Sequence, residues 1–200
     1  MRFNDKACWE NVMPDATYSL EAYVSDIRKI TAEETDTSAI TKRIKPLALK
    51  LANTPGWMKE QFLQVDESQG FGVHLLHEEP NHDLAVFVLT WMPDRGTKPH
   101  NHLTWAVVAG IAGEEYEIEW ERVDDGSKKG YAELVKTGDA TIRAGQVSAC
   151  TPNAIHSVWN TGKSLSISLH TYGRHINYTG RSEFDPEAKS ERPFEVKVKQ

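Results

Sequence analysis

The chain has 200 residues, enough for one domain with a proper hydrophobic core and too few for two comfortable ones. Lys and Arg number 23 against 29 Asp and Glu, a net charge of −6 without basic blocks, so nucleic acid is not expected as a partner. The first ten residues lack a basic segment backed by an apolar core, and the longest apolar run, residues 84–92, is far below membrane-spanning length. No membrane partner and a cytoplasmic location are therefore expected.

Residues 17–34 repeat Leu20, Tyr23, Val24, Ile27 and Ile30 at three- and four-residue steps, which predicts an amphipathic helix, with Asp15 placed to cap it. A second helix is predicted over 37–52, with Ile40, Ile44, Leu47, Ala48 and Leu51 on one side, ended by Asn53-Thr54-Pro55-Gly56. From about residue 71 the pattern changes to short apolar runs separated by turn signals. Strands are predicted at 71–76, 84–91, 104–109, 114–122, 132–137, 147–149, 154–159 and 165–171. The alternation of Phe194-Glu195-Val196-Lys197-Val198 predicts a final edge strand. The expected fold is mainly β, a jelly-roll barrel with N-terminal α-helices packed on it. One domain over 1–200 is expected, with a helical part at 1–56, the barrel at 70–180 and a C-terminal extension at 181–200. The two cysteines, Cys8 and Cys150, make no disulfide framework, and Cys150 reads as a small buried hydrophobe.

The informative stretch is Pro99-His100-Asn101-His102. Alternate residues on an extended chain project to one side, so His100 and His102 share a face, and a later strand can bring His156 opposite them. Three converging imidazoles make a metal site. On ligand type alone iron and zinc both suit it.

His100-x-His102, His156-x-x-x-Asn160 and Ser168-x-His170-x-Tyr172 together resemble the cupin superfamily, and more narrowly the cysteine dioxygenase family, over roughly residues 70–175. The resemblance implies Fe(II) held by His100, His102 and His156. It also implies a thiol dioxygenase that takes a small thiol carboxylate (3-mercaptopropionate, cysteine or a relative such as mercaptosuccinate) and O2 to the sulfinate. A metal-dependent isomerase or hydrolase using zinc or manganese, and a non-catalytic ligand-binding barrel, are the competing readings. A monomer or homodimer is expected.

Many cupins carry a carboxylate ligand a few residues after H-x-H. Here Thr104, Trp105, Ala106 and Val107 occupy those places. With three neutral imidazoles and no such carboxylate, the charge of a divalent ion is expected to be uncompensated and to favour anionic ligands such as a thiolate. Ser168, His170 and Tyr172, at alternate positions, share one strand face and can form a hydrogen-bond relay; the resemblance gives this trio a catalytic role. Val107 stands where animal-type members have a cysteine cross-linked to the triad tyrosine, so Tyr172 is expected to be a free phenol. His74 stands where those enzymes have a carboxylate-gripping arginine. The substrate pocket is therefore expected to be lined by Arg181, His74 and Trp105, with Arg181 taking the carboxylate and Arg174 turned outward. Trp159 is expected in the barrel core, and His77, His82 and His175 at the surface.

Overall fold

Two short polar side chains start the helices. In this computed structural model, which describes residues 18–199, the Ser19 hydroxyl accepts from the Ala22 N–H at 3.2 Å and begins α1 (Leu20–Glu33). The Asp36 carboxylate accepts from the Ala39 N–H at 2.8 Å and begins α2 (Thr37–Ala52). Each cap satisfies a backbone donor that the first helical turn leaves without a partner. Asp15 and Cys8, named above, lie outside the described residues. Both helices bury the predicted apolar stripes: Tyr23, Val24, Ile27 and Ile30 from α1, and Ile40, Ile44, Ala48 and Leu51 from α2.

The strands are β1 (Phe71–Glu78), β2 (Ala85–Trp91), β3 (Arg95–Gly96), β4 (Ala106–Ala112), β5 (Glu114–Arg122), β6 (Leu134–Arg143), β7 (Val147–Cys150), β8 (Ile155–Asn160), β9 (Ser166–Tyr172), β10 (Ser182–Asp185) and β11 (Ser190–Pro193). They form a five-stranded sheet ordered β1-β2-β9-β4-β7 and a four-stranded sheet ordered β3-β8-β5-β6, with β10 and β11 as a separate hairpin. All ladders between these strands are antiparallel. The architecture is the expected one, a mainly β jelly roll with helices from the N-terminal part on one face.

That helical layer explains why β2 and β9 are buried along their whole length. Val86, Val107, Ala109 and Leu169 face outward into the cluster made by α1 and α2. Phe71, Val73, Phe87, Leu89, Trp91 and Tyr172 face into the barrel. Two apolar layers therefore share one sheet. Removing one fully buried ring from it, such as that of Phe87, costs about 3–5 kcal/mol. One polar contact also ties the layers together: the hydroxyls of Tyr23 and Thr171 lie 2.7 Å apart and buried.

Three expectations need correction. Residues 194–198 form no ladder. The chain's end instead meets β1 through a single parallel bridge between Lys199 and His74, and the β-hairpin of this region is β10–β11, just upstream. The apolar alternation was real, but Val196 and Phe194 use it to cover the barrel's mouth. The fifth predicted strand, 132–137, is observed over Leu134–Arg143, where the polar run Lys136 to Thr141 hides a largely exposed edge strand. Trp159 is 43% exposed, because β8 turns His156, Val158 and Asn160 inward and Trp159 outward.

Candidate metal centre

The H-x-H segment is held in place by strands on both sides of it, although it is not itself part of a regular strand, since β4 starts only at Ala106. His100 and His156 exchange backbone hydrogen bonds, N–H to O at 2.8 and 3.0 Å, so the first and third histidines are directly opposed residues of a short antiparallel bridge. On the other side the Phe184 N–H donates to Pro99 O at 2.8 Å, and the Asn101 N–H to Ser182 O at 3.2 Å. Leu103, just after His102, turns the chain with φ of 52°, a left-handed conformation that a side chain of its size rarely adopts.

The three rings converge. Their centroids lie 4.7–5.0 Å apart, and one ring nitrogen from each falls within 4.8 Å of the others. Nε2 of His102 and Nε2 of His156 are 3.4 Å apart. Two nitrogens each about 2.1 Å from one shared ion stand about 3–3.4 Å apart, so the pair is spaced for a metal. The opposite nitrogens of two rings are occupied. Nδ1 of His100 faces Lys98 O at 3.0 Å, and Nδ1 of His156 faces the Glu117 carboxylate at 2.5 Å. These contacts orient the rings and leave Nε2 for a metal. Burial holds His100 and His102 well below the usual imidazole range, in the neutral form that ligation needs. The donor set therefore fits a divalent transition metal.

Glu117 corrects the expectation of an uncompensated charge. It is absent from the three-histidine cluster but lies directly behind one member, where its carboxylate would offset part of a bound ion's charge through the ring. Cys150 is also near, its Sγ 3.9 Å from His156 Nδ1 and 4.0 Å from the Glu117 carboxylate. The thiol is buried as expected, and its closeness to a ligand comes from the β4–β7 pairing.

The relay is assembled in the same cavity. Ser168 Oγ lies 2.8 Å from His170 Nε2, and His170 Nδ1 lies 2.9 Å from the Tyr172 hydroxyl. β9 runs between β2 and β4, with His170 opposite Phe87 on one side and Val108 on the other, so the three polar side chains all point inward. The Tyr172 ring stands 5.1 Å from that of His102, edge to face. Burial pushes His170 down to about 3, so the relay's imidazole is neutral. Asn160 spans the turn between β8 and β9: its Nδ2 donates to Trp91 O and Ser164 O, and its Oδ1 accepts from the Gly162 N–H.

Arg181 lies in the lining of this cavity together with the three histidines, His170 and Tyr172. It is 3% exposed, sits 4.2 Å above the Phe194 ring, and has two donors, Nε and Nη2, that no described residue accepts. Burial lowers it only to about 10, so it is a cation at neutral pH. Arg174 points outward, toward Tyr178 O and Asp83.

The other two pocket candidates are misplaced. His74 points to the opposite face of β1 from Val73, where its Nε2 meets Gln64 O at 2.8 Å and its ring packs on Phe62. Trp105 packs in the cluster beneath the helices. His175, expected at the surface, is buried with its ring against Phe87. A roomier groove outside the barrel, along residues 52–63, brings together no such cluster of ligating groups.

Sequence reasoning missed Glu115 and Glu117. The run Glu115-x-Glu117-x-Glu119 alternates with Tyr116, Ile118 and Trp120, a pattern whose apolar side would ordinarily face inward. Only the opposed register of Glu117 with Val158, which faces the cavity, shows that these carboxylates enter the barrel.

No known protein-family profile matches the chain. Solved structures similar to it include an oxalate oxidase in complex with the substrate analogue glycolate, at 17% identity over 58% of this chain and 59% of that one, with a TM-score of 0.43. Another is a protein from Klebsiella pneumoniae with a double-stranded β-helix domain, at 16% identity over 63% and 93%, TM-score 0.44. A third is the cupin domain of an XRE family transcriptional regulator from Enterobacter cloacae, at 16% identity over 52% and 96%, TM-score 0.37. This chain spans less than two thirds of the oxalate oxidase. None of these likenesses assigns an activity to it. Among the described residues no helix is long and apolar enough to cross a membrane.

Proposed function

We propose that the protein is a non-haem iron thiol dioxygenase that converts a small thiol carboxylate and O2 into the corresponding sulfinate, RSH + O2 → RSO2H. The observation that supports this reading is the meeting, in one narrow cavity, of three converging histidines, a Ser168–His170–Tyr172 relay and a buried guanidinium with free donors.

His100, His102 and His156 would hold Fe(II). When bound, the iron supplies the activation of O2 and a coordination position for sulfur, which three facial ligands leave open. The chain's own residues do the rest. Arg181 offers Nε and Nη2 to a carboxylate, in the geometry of a planar fork, and so fixes which end of the substrate points toward the histidines. The Phe194 ring beneath the guanidinium holds its plane. Burial raises the Tyr172 phenol above its ordinary pKa, so it stays protonated and acts as a hydrogen-bond partner to the bound ligands, without carrying charge. Phe71, Leu89, Trp91 and Val158 keep the chamber apolar, which excludes water from the sulfur.

With His74 turned away toward Gln64 O, no described residue stands in for the upstream arginine that the animal-type members have there. This favours substrates lacking the α-amine, such as 3-mercaptopropionate and mercaptosuccinate, over cysteine.

The test is oxygen uptake by the iron-loaded protein with 3-mercaptopropionate, cysteine and mercaptosuccinate in parallel, with the product weighed by mass spectrometry after reaction under isotopically labelled O2. Sulfinate carrying both labelled atoms is expected. Absence of thiol-dependent uptake across the panel overturns the proposal.

A further inference from the structure

The wall of the metal cavity is not equally fastened all round. β1, β2, β8 and β9 enter it as members of continuous ladders. Residues 194–199 close the remaining side, with Phe194 and Val196 turned to the cavity and Glu195 and Lys197 exposed. The segment is fixed at its two ends: the Phe194 N–H donates to Arg181 O at 3.0 Å, the Lys199 N–H to Val73 O at 2.8 Å and the Leu75 N–H to Lys199 O at 3.0 Å. Between them, residues 195–198 make no backbone-to-backbone hydrogen bond with any described residue. That middle hangs on two side-chain amides. Asn177 Nδ2 donates to Val196 O at 2.8 Å and Asn177 Oδ1 accepts from the Val196 N–H at 3.0 Å, while Gln69 Oε1 accepts from the Lys197 N–H at 2.8 Å. The Lys197 ammonium adds an exposed ion pair with Asp66, which holds little.

The cavity needs such a part. Its volume is about 20 Å³, room for about one water. A hydrated metal ion or a thiol carboxylate is larger, so a section of the wall has to yield before either reaches the histidines. Local opening takes place where backbone hydrogen bonds and buried contacts are fewest, whereas a ladder strand gives way only with its neighbours. Residues 195–198 meet that condition. Phe194, beside them, stands over both groups that entry has to uncover: its ring lies 5.3 Å from that of His100 and 4.2 Å from the Arg181 guanidinium carbon.

We propose that residues 194–199 are a lid over the metal centre, anchored at Arg181 and β1 and latched in the middle by Asn177 and Gln69, and that release of the latch sets the rate at which ions and ligands exchange with the cavity. Closure returns the Phe194 ring to Arg181 and shuts water out of the chamber. Asn177 is itself positioned, its N–H donating to Nδ1 of His175 at 3.2 Å, so the latch belongs to the short 3₁₀ turn Ile176–Tyr178. The lid rests on the metal centre and is independent of the thiol chemistry.

The test uses the full chain. In the wild type, amide hydrogen exchange read by mass spectrometry should be faster in peptides covering 194–199 than in those from β9, and Asn177→Ala should quicken it in the lid alone. Zinc by itself is the second probe. Its association, followed by depletion of a zinc-sensitive dye in stopped flow, and its dissociation into excess chelator should both quicken by about tenfold in Asn177→Ala, which loses two hydrogen bonds, and by about threefold in Gln69→Ala, which loses one from the lid. The zinc Kd should stay within about twofold, because a lid alters the barrier to exchange and not the ligand set. Lid amides that exchange as slowly as those of β9, zinc rates unmoved in both variants, or a Kd that worsens in step with a faster dissociation overturns the proposal. Sulfinate formation plays no part in these readouts, so failure here and failure of the thiol reading are separate results.

Discussion

The Glu117 carboxylate lies 2.5 Å from Nδ1 of His156, on the opposite side of the ring from the nitrogen that faces His102. A metal held by His156 therefore senses a negative charge one ring away. Replacing Glu117 by Ala should weaken metal binding by roughly 10–100-fold, with the fold retained, because the ring loses both its orientation and its partner. Competition against a chelator of known affinity reads the change. An affinity equal to that of the wild type would remove Glu117 from the site's design.

The three histidines should act as a set. His102→Ala should purify with less than stoichiometric metal under conditions that saturate the wild type, as read by elemental analysis. Circular dichroism should show the same β content, since His102 lies outside the regular strands.

Arg181→Met keeps the length of the side chain and removes its donors. If the guanidinium binds the substrate carboxylate, KM for 3-mercaptopropionate should rise by roughly two orders of magnitude, within the range for truncating a buried charge partner, while kcat falls less. A thiol lacking a carboxylate should show the same KM with either protein.

Tyr172→Phe removes the relay's last hydroxyl and leaves the ring packed against Phe87 and His102. Metal affinity should be unchanged. Turnover should fall by roughly 10²–10⁴-fold, the usual span for losing a positioned proton donor or acceptor.

Glu115 gives stability a pH dependence whose sign is fixed. Its carboxyl is raised by burial from 4.5 to about 7 in the folded protein, so between these values the folded state holds a proton that the unfolded chain has released. Stability from this group is fully present below pH 4.5, falls as pH rises toward 7, and is flat above. Glu115→Gln lacks the effect. Denaturant titrations should show the variant gaining on the wild type between pH 5 and pH 8, by up to roughly 3 kcal/mol at 1.36 kcal/mol per pKa unit.

The barrel, the helices, the three converging histidines and the relay were legible because each rests on local periodicity or spacing. Alternation placed Ser168, His170 and Tyr172 on one face, and the register of β9 puts them there. Which face of a strand points into the barrel was harder to read. β2 is buried on both sides and β1 along half its length, since helices cover one side and the cavity occupies the other, so hydrophobicity carried no sign there. His74, placed in the pocket because it stands where the resemblance has an arginine, met no contrary sign on β1, and it lies behind the sheet, as Trp105 does. β5 is the opposite case. Its inward glutamates are polar because they serve buried hydroxyls and a ligand ring, and no property of a single strand reveals that. Arg181 was found by proximity in sequence, and its value comes from a feature only the fold displays: burial without an acceptor.

Thr171 sits between His170 and Tyr172 in sequence but faces the other way, and there the Tyr23 hydroxyl of α1 meets it. The helices thus serve as a stiff backing plate riveted to the rear of the very strand whose front carries the reactive groups. Aligned side chains that need no rearrangement during a turnover owe that readiness to what clamps them from behind. Wear in the plate, far from any ligand, would be felt at the front as slack.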